Sequence, residues 1–324
     1  MEAGGRGAEA DAYLKWAASE RLTVVRVLAM AKHLFTLEPE RGVKALDVLL
    51  ARAARHGLFV EVVALADTQE YPVDIPAHVK RVGEICARHA NALIEIANEP
   101  YHPTQRADVH EPAYLQKLRP LIPPEVPTAL GTGPDVVKGG DYVTSHYPRD
   151  GREGEWGWVA SLRAGREDLK RVGKPLIDDE PIGAGEKVQA AKRDILPERF
   201  RAGAIAGRLL GLGSTFHYEG GLYARRPQGN ELACFRAWQQ AWTLVPGDAP
   251  VEPFDAGPNA PVRAIKGERA EAFLGRRGDT AWVLLAGAKP GAAVEWAEGW
   301  TVTARREWPQ SRFYAVRRSL GSKR

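Results

Sequence analysis

The chain has 324 residues, with 45 Lys and Arg against 41 Asp and Glu, a formal charge of +4, and 44% hydrophobic and 27% charged residues. Such a composition suits a globular chain with room for one barrel-sized domain and a small appendage. It excludes a transmembrane helix, because no run of about 18 apolar residues occurs; a basic nucleic-acid module, because the surplus Arg is scattered along helices; and a disulfide framework, because Cys86 and Cys234 are the only cysteines.

From residue 11 to about 245, helix-like and strand-like segments alternate. Asp11–Leu22 is predicted helical, and Val24–Ala29 is a short apolar strand interrupted by one charge, Arg26. A helix over Glu40–His56 ends at Gly57, the residue that terminates helices most readily. The strand Leu58–Leu65, a helix from Pro76 to His89 and the strand Ala92–Ala97 follow. A helix at Ala113–Leu118, strands at Thr128–Leu130 and Tyr142–Ser145, and a helix from Trp158 to Arg171 continue the pattern. The strand Lys174–Ile177, the helix Pro197–Leu210, the strand Ser214–His217 and a helix at Leu232–Leu244 close it. Short apolar strands alternating with amphipathic helices predict a parallel sheet covered by helices.

After Pro246 the texture changes. A Pro-, Gly- and Asp-rich connection leads to short strands at Val262–Ile265, Ala270–Leu274, Thr280–Leu285, Thr301–Arg305 and Phe313–Val316, with turn chemistry at Gly278-Asp279 and Pro290-Gly291. The expected division is residues 1–246 as a (β/α)-barrel catalytic domain and 247–324 as a small all-β accessory sandwich. Core packing is the expected role for most of Trp282, Trp296, Trp300 and Trp308.

Two strand ends carry candidate chemistry. Ala92–Ala97 runs into Asn98-Glu99-Pro100, and alternation sets Glu95, Ala97 and Glu99 on the face opposite Ile94 and Ile96. Lys174–Ile177 runs into Asp178-Asp179-Glu180-Pro181, with Asp178 and Glu180 on one face and Asp179 opposite. Each stretch alone also reads as a capped turn. Together they put two carboxylates at the ends of strands of one parallel array, where barrel active sites form. Interior carboxylates need partners, and Arg26 is the natural one for Glu95 or for the nucleophile.

An Asn-Glu-Pro at one strand end, followed three strands later by a strand-terminal Glu, resembles the clan A retaining glycoside hydrolases, including the cellulase-like families. The resemblance covers residues 11 to about 245. It implies a (β/α)8 TIM barrel, Glu99 as general acid/base and Glu180 as nucleophile, cleaving O-glycosidic bonds of a β-linked glycan by double displacement. Retention needs the two carboxyl groups about 5–5.5 Å apart. The resemblance also implies that Asn98 binds the sugar 2-hydroxyl and that His146 or Tyr147 orients the nucleophile or binds sugar. His217, with Tyr218, stands where many clan members carry a Trp. Trp156 is a candidate stacking platform, whereas Trp158 is either a platform or the start of a helix core face. His102, Lys32 and His33 are placed in loops beside the cleft, His33 on its solvated side.

No cofactor is implied, and no metal, since zinc-ligand spacing is absent. The expected partner is an oligo- or polysaccharide, with neither nucleic acid nor membrane; the oligomeric state is left open. The alternative reading is a non-catalytic carbohydrate-binding barrel. Counted against the clan, the first barrel strand is missing, so an N-terminally truncated barrel is expected. Residues 1–10 stand in for the strand, a neighbouring segment fills the gap, or the protein begins upstream of Met1. No signal peptide is visible, which implies a cytoplasmic protein if Met1 is the start and leaves secretion open if it is not.

Overall fold

The computed structural model describes residues 4–29, 39–133, 140–149, 155–185, 193–247, 249–269 and 271–319. Lys32 and His33 lie outside the described residues. The chain forms two compact units: Met1–His146 with Val172–Asp179 and Gly220–Arg226, and Tyr147–Arg171 with Glu180–Glu219 and Pro227–Arg324. No helix among the described residues is long and apolar enough to cross a membrane.

The first unit alternates as its sequence predicts: α1 (Gly7–Ser19), β1 (Val24–Leu28), α2 (Pro39–Arg55), β2 (Phe59–Leu65), α3 (Ile75–Cys86), β3 (Ala92–Ala97), α4 (Pro112–Leu118), β4 (Thr128–Gly131) and β5 (Val143–Ser145). The strands β1 to β4 lie side by side in chain order, all parallel. A parallel bridge from Thr132 to Thr144 carries the order on to β5, which pairs with β6 (Leu176–Asp178). Buried Val and Ile fill β2 and β3, and α2 turns Leu46, Leu50 and Ala53 into the core. Gly57 ends that helix with a φ of 72°, a conformation glycine enters without strain.

The second unit holds α5 (Gly157–Ser161), α6 (Arg163–Val172), whose last residue belongs to the first unit, β7 (Gly183–Ala184), β8 (Arg193–Asp194), α7 (Pro197–Leu210), β9 (Gly213–Ser214), β10 (His217–Tyr218) and α8 (Gly229–Leu244). The helix expected over Trp158 to Arg171 is thus broken at Leu162. The strand expected over Ser214–His217 resolves into β9 and β10, and β10 pairs in parallel with β7. The small residues of α7 have a packing reason: a Cβ on Gly203 would stand 2.5 Å from the Trp158 ring. Around that helix Phe200, Phe216, Phe235 and Trp238 form an aromatic cluster with ring centroids 5.1–6.0 Å apart.

Beyond these elements, β11 (Glu252–Pro253), β13 (Glu271–Arg277), β14 (Thr280–Ala286), β17 (Ser311–Arg318) and β16 (Trp300–Trp308) make a five-stranded antiparallel sheet in that order. Gly278 and Asp279 form the two-residue turn between β13 and β14, Gly278 at a φ of 56°. The ribbon of β12 (Val262–Lys266) and β15 (Ala293–Trp296) packs on one face through Val262, Leu274, Val283, Leu285 and Tyr314. The helix α7 packs on β13 and β14, so β14 is buried along nearly its whole length. Trp282 and Trp296 are packing residues, as expected of most of the four tryptophans.

One buried histidine ties the first unit together. His78 of α3 points its Nε2 at Ala64 O (2.9 Å) and Ala29 O (3.0 Å), joining the helix to β2 and to the end of β1. Burial holds the imidazole below its ordinary 6.5, with the two backbone bonds opposing. The fold therefore favours the neutral ring. As pH falls through 6.5 the unfolded chain takes up a proton that the native site resists, so stability is lost from there down to the depressed native value. His78→Leu is expected to cost roughly 1–3 kcal/mol at pH 8. In urea unfolding at pH 8 and pH 5, the variant should lose less stability on acidification than the wild type.

Candidate active site

The carboxyl ends of β3 to β6 are brought level by their register, Ala97 opposite Gly131 and Ser145 opposite Asp178. The residues just past those ends are Asn98 and Glu99, Thr132, His146 and Asp179. They converge, with Arg26 of β1 at their centre.

The Arg26 Nη2 donates to Glu95 Oε2 and to Asn98 Oδ1, each at 2.7 Å, while Nε lies 2.7 Å from Asp179 Oδ2 and 3.8 Å from Glu61 Oε2. The Arg26 side chain is 13% exposed and those of Glu61, Glu95 and Asp179 are 1% exposed or less. In so dry a site one cation cannot keep three carboxylates charged. Burial, and then the charges of Asp179 and Glu95, push Glu61 well above the usual carboxylate range. The Tyr142 hydroxyl fits a neutral Glu61: it lies 2.8 Å from Glu61 Oε1 and 3.1 Å from Ile94 O, and its single hydrogen serves only one of them fully. Burial also raises Glu95, with Asp179 adding and Arg26 opposing. Asp179 goes the other way: burial would raise it, but Arg26 and His146 hold it below its ordinary value. For Arg26, burial is outweighed by the carboxylates, which lift it well above its ordinary value. Thr132 and Thr144 complete Glu95 by donating to its Oε1 at 2.9 and 2.8 Å.

Glu99 reaches this cluster by leaving the strand. Its φ is 38°, in the left-handed region that non-glycine residues seldom enter. The turn is held by backbone bonds from Asn98 N to Leu65 O (2.9 Å) and from His102 N to Glu99 O (2.8 Å), and by buried Gln105, which donates to Asn98 O at 2.6 Å. Across from it, a Cβ on Gly131 would stand 2.6 Å from Ala97 O, so only glycine allows β4 this close. The Glu99 Oε1 lies 3.0 Å from His146 Nδ1 and 3.4 Å from the Tyr101 hydroxyl. The Glu99 side chain is 14% exposed and that of His146 2%.

In the second unit, Glu180 is the residue after Asp179, and Arg149 Nη1 donates to its carboxylate at 3.1 Å and to its carbonyl at 2.6 Å. The His217 Nδ1 lies 3.1 Å from Pro181 O, one residue further on.

Of the residues named from sequence, Arg26, Glu95, Asn98, Glu99 and His146 meet in the first unit. Five readings are changed or decided between their alternatives. Arg26 takes Glu95, one of its two expected partners, and with it Asp179. Asp179, expected on the face opposite Glu180, itself meets Arg26, because β6 ends at Asp178 and strand alternation no longer governs the next position. Tyr147 is buried and its hydroxyl lies 3.5 Å from Asp168 of α6, which gives no support to a sugar contact. Trp156 is no open platform, being buried with its Nε1–H donated to Gln310 at 3.3 Å. Trp158 takes the core alternative, bonded to Asp194 at 2.8 Å. Glu61, Tyr142, Thr132, Thr144, Arg149 and Tyr101 were not foreseen. Only Glu61 carried a signal, as a lone charge in the apolar strand Phe59–Leu65.

No protein-family model and no curated protein matches this sequence. Solved structures do. A protein described as a glycoside hydrolase superposes with a TM-score of 0.65 at 15% identity, over 96% of this chain and 89% of its own. A family 5 glycoside hydrolase from Bacteroides vulgatus gives 0.64 at 14%, over 97% and 86%. A GH5_18 protein from Bifidobacterium longum gives 0.57 at 17%, over 75% of each chain. The fold is that of the family 5 glycoside hydrolases. The clan A resemblance carried by Asn98-Glu99-Pro100 is thereby matched at the level of the fold, and the family 5 likeness implies a (β/α)8 barrel.

Within this family 5 fold, Arg26 is the group whose loss leaves most uncompensated. Arg26→Met is expected to lower stability by about 3–5 kcal/mol, since it strands buried carboxylates without their cation. Urea unfolding of the variant at pH 7 measures it. A loss under about 1 kcal/mol would mean that the cluster does not depend on this charge.

Proposed function

We propose that the protein is a retaining glycoside hydrolase acting on a β-linked glycan, with Glu99 as general acid/base and Glu180 as nucleophile. The observation that carries this is the placement of Glu99. It stands at the carboxyl end of a parallel strand, in a strained turn, with one carboxylate oxygen on His146 and its Asn98 neighbour fixed by Arg26. Glu180 adjoins Asp179, a member of the same cluster, in a chain with a family 5 fold.

The chemistry follows from those groups. Glu99 protonates the leaving oxygen while the Glu180 carboxylate attacks the anomeric carbon, and a glycosyl ester forms. Glu99, now a carboxylate, takes a proton from the water that attacks that ester. Because Asn98 Oδ1 is committed to Arg26, its amide hydrogens are free to be offered to a substrate hydroxyl, in our proposal the 2-hydroxyl. The remote neighbours support a glycan substrate: a GH5_18 structure from Streptomyces cattleya is a complex with GlcNAc, and one from Bifidobacterium longum is a complex with Manβ1-4GlcNAc. Double displacement needs no cofactor or metal.

In this reading residues 1–246 carry the chemistry and the β-domain of 247–324 supports α7. Glu198 in the first turn of α7 accepts from Gln310 N at 2.8 Å and from the Ser311 hydroxyl at 2.7 Å, and Arg201 lies 4.6 Å from the Trp308 ring.

A panel of 2-fluoroglycosides should leave a covalent sugar on Glu180, seen by peptide mass spectrometry, and the matching sugar names the substrate. Glu180→Ala and Glu99→Ala should each lower kcat/KM by about 10²–10⁴-fold on unactivated substrates. Added azide should give the α-glycosyl azide with the first variant and the β-anomer with the second. Sugar binding with turnover no higher than that of Glu180→Ala would replace this reading with that of a non-catalytic binding protein.

A further inference from the structure

His146 stands between two carboxylates of the first unit. Its Nδ1 is 3.0 Å from Glu99 Oε1, and its Nε2 is 3.3 Å from Asp179 Oδ1 and 3.4 Å from Thr132 Oγ1. Which nitrogen carries the ring hydrogen follows from what each one faces. Thr132 has a single hydroxyl hydrogen and donates it to Glu95 Oε1 at 2.9 Å, so it offers His146 a lone pair. Asp179, held ionised by Arg26 at 2.7 Å, offers lone pairs as well. Two acceptors face Nε2, and Nε2 therefore carries a hydrogen. On the other side, an empty Nδ1 and an ionised Oε1 would oppose lone pairs at 3.0 Å in a site shielded from water, which is unfavourable. One proton belongs to that pair.

We propose that Asp179 is a positioning residue that acts through His146 to keep one proton on the His146–Glu99 pair, and that this shared proton is the one given to the leaving oxygen. The inference rests on the retaining-hydrolase reading and adds the source of its acid. In the first half-reaction the proton passes from the pair to the glycosidic oxygen as the bond from that oxygen to the anomeric carbon breaks and the Glu180 ester forms. The pair is left with opposed lone pairs, which makes Glu99 a stronger base than an isolated carboxylate. In the second half-reaction water attacks the anomeric carbon, the ester bond breaks and the water proton returns to Glu99. One proton leaves and one comes back per turnover.

Nitrogen-15 NMR of the full chain, with the His146 signals assigned by their loss in His146→Gln, reads the tautomer directly. Nε2 should be protonated at neutral pH; a hydrogen on Nδ1 with a bare Nε2 overturns the proposal whatever the substrate proves to be. Asp179→Asn supplies an amide N–H that can donate to Nε2, so the tautomer inverts and the ring donates Nδ1–H to an ionised Glu99. Turnover of glycosides with poor leaving groups should then fall by about 100-fold, and that of dinitrophenyl glycosides, which leave without a proton, by under about 10-fold, with KM little changed. An equal loss on both classes in a variant with wild-type circular dichroism overturns it. Glu99→Ala separates the two levels: if it lacks this dependence on the leaving group, the assignment of Glu99 as acid fails. The NMR result stands independently of that outcome, and also if Asp179→Asn does not fold.

Discussion

A single buried guanidinium organises the first unit. Arg26 touches residues from β3, from the turn after it and from the chain just past β6, with Glu61 of β2 somewhat further off. Its partners Glu95 and Asn98 are 69 and 72 residues away in sequence, so these contacts form only when the parallel sheet is in register. A slip of one residue in β1 would turn the guanidinium to the other face and leave buried carboxylates facing each other. The charge thus selects one register out of those that Val-rich strands would otherwise tolerate.

The same charge reaches outward in two directions. Through the Asn98 amide oxygen it fixes the residue before Glu99, and through Asp179 it bears on the imidazole that meets Glu99. Glu99 is therefore approached from both sides by groups tied to one cation. Glu61 bears the crowding of negative charge: burial and the neighbouring carboxylates push it well above the usual carboxylate range, beside the Tyr142 hydroxyl. Arg26, Glu61, Glu95 and Asp179 act as one unit, and altering any of them changes the electrostatics of the rest.

Much of this was legible in the sequence, for a definite reason. Lone charges inside apolar strands are rare, and two of them, Arg26 and Glu95, are bonded to each other. The long elements were readable because burial gives them a period: β3 and α7 begin and end where the pattern does. Two-residue strands such as β7 and β8 have no period to read. Asp179 departs from alternation for the same reason, since it lies one residue past the end of β6. Glu99 shows the converse: it faces its expected side, but by way of a left-handed turn and not by pleating. Trp156 and Tyr147 stand at loop positions, where residue type alone does not say that Gln310 or Asp168 is waiting.

Gly131 extends these constraints to a residue with no side chain at all. Its φ of 153° and the 2.6 Å that would separate a Cβ from Ala97 O leave no replacement that keeps β4 in place. Any larger residue must push against the backbone that leads into Asn98 and Glu99. In a library of random variants, position 131 should then be as intolerant as position 99, although it supplies no proton, charge or side-chain contact. Selection at this position acts on the space left empty.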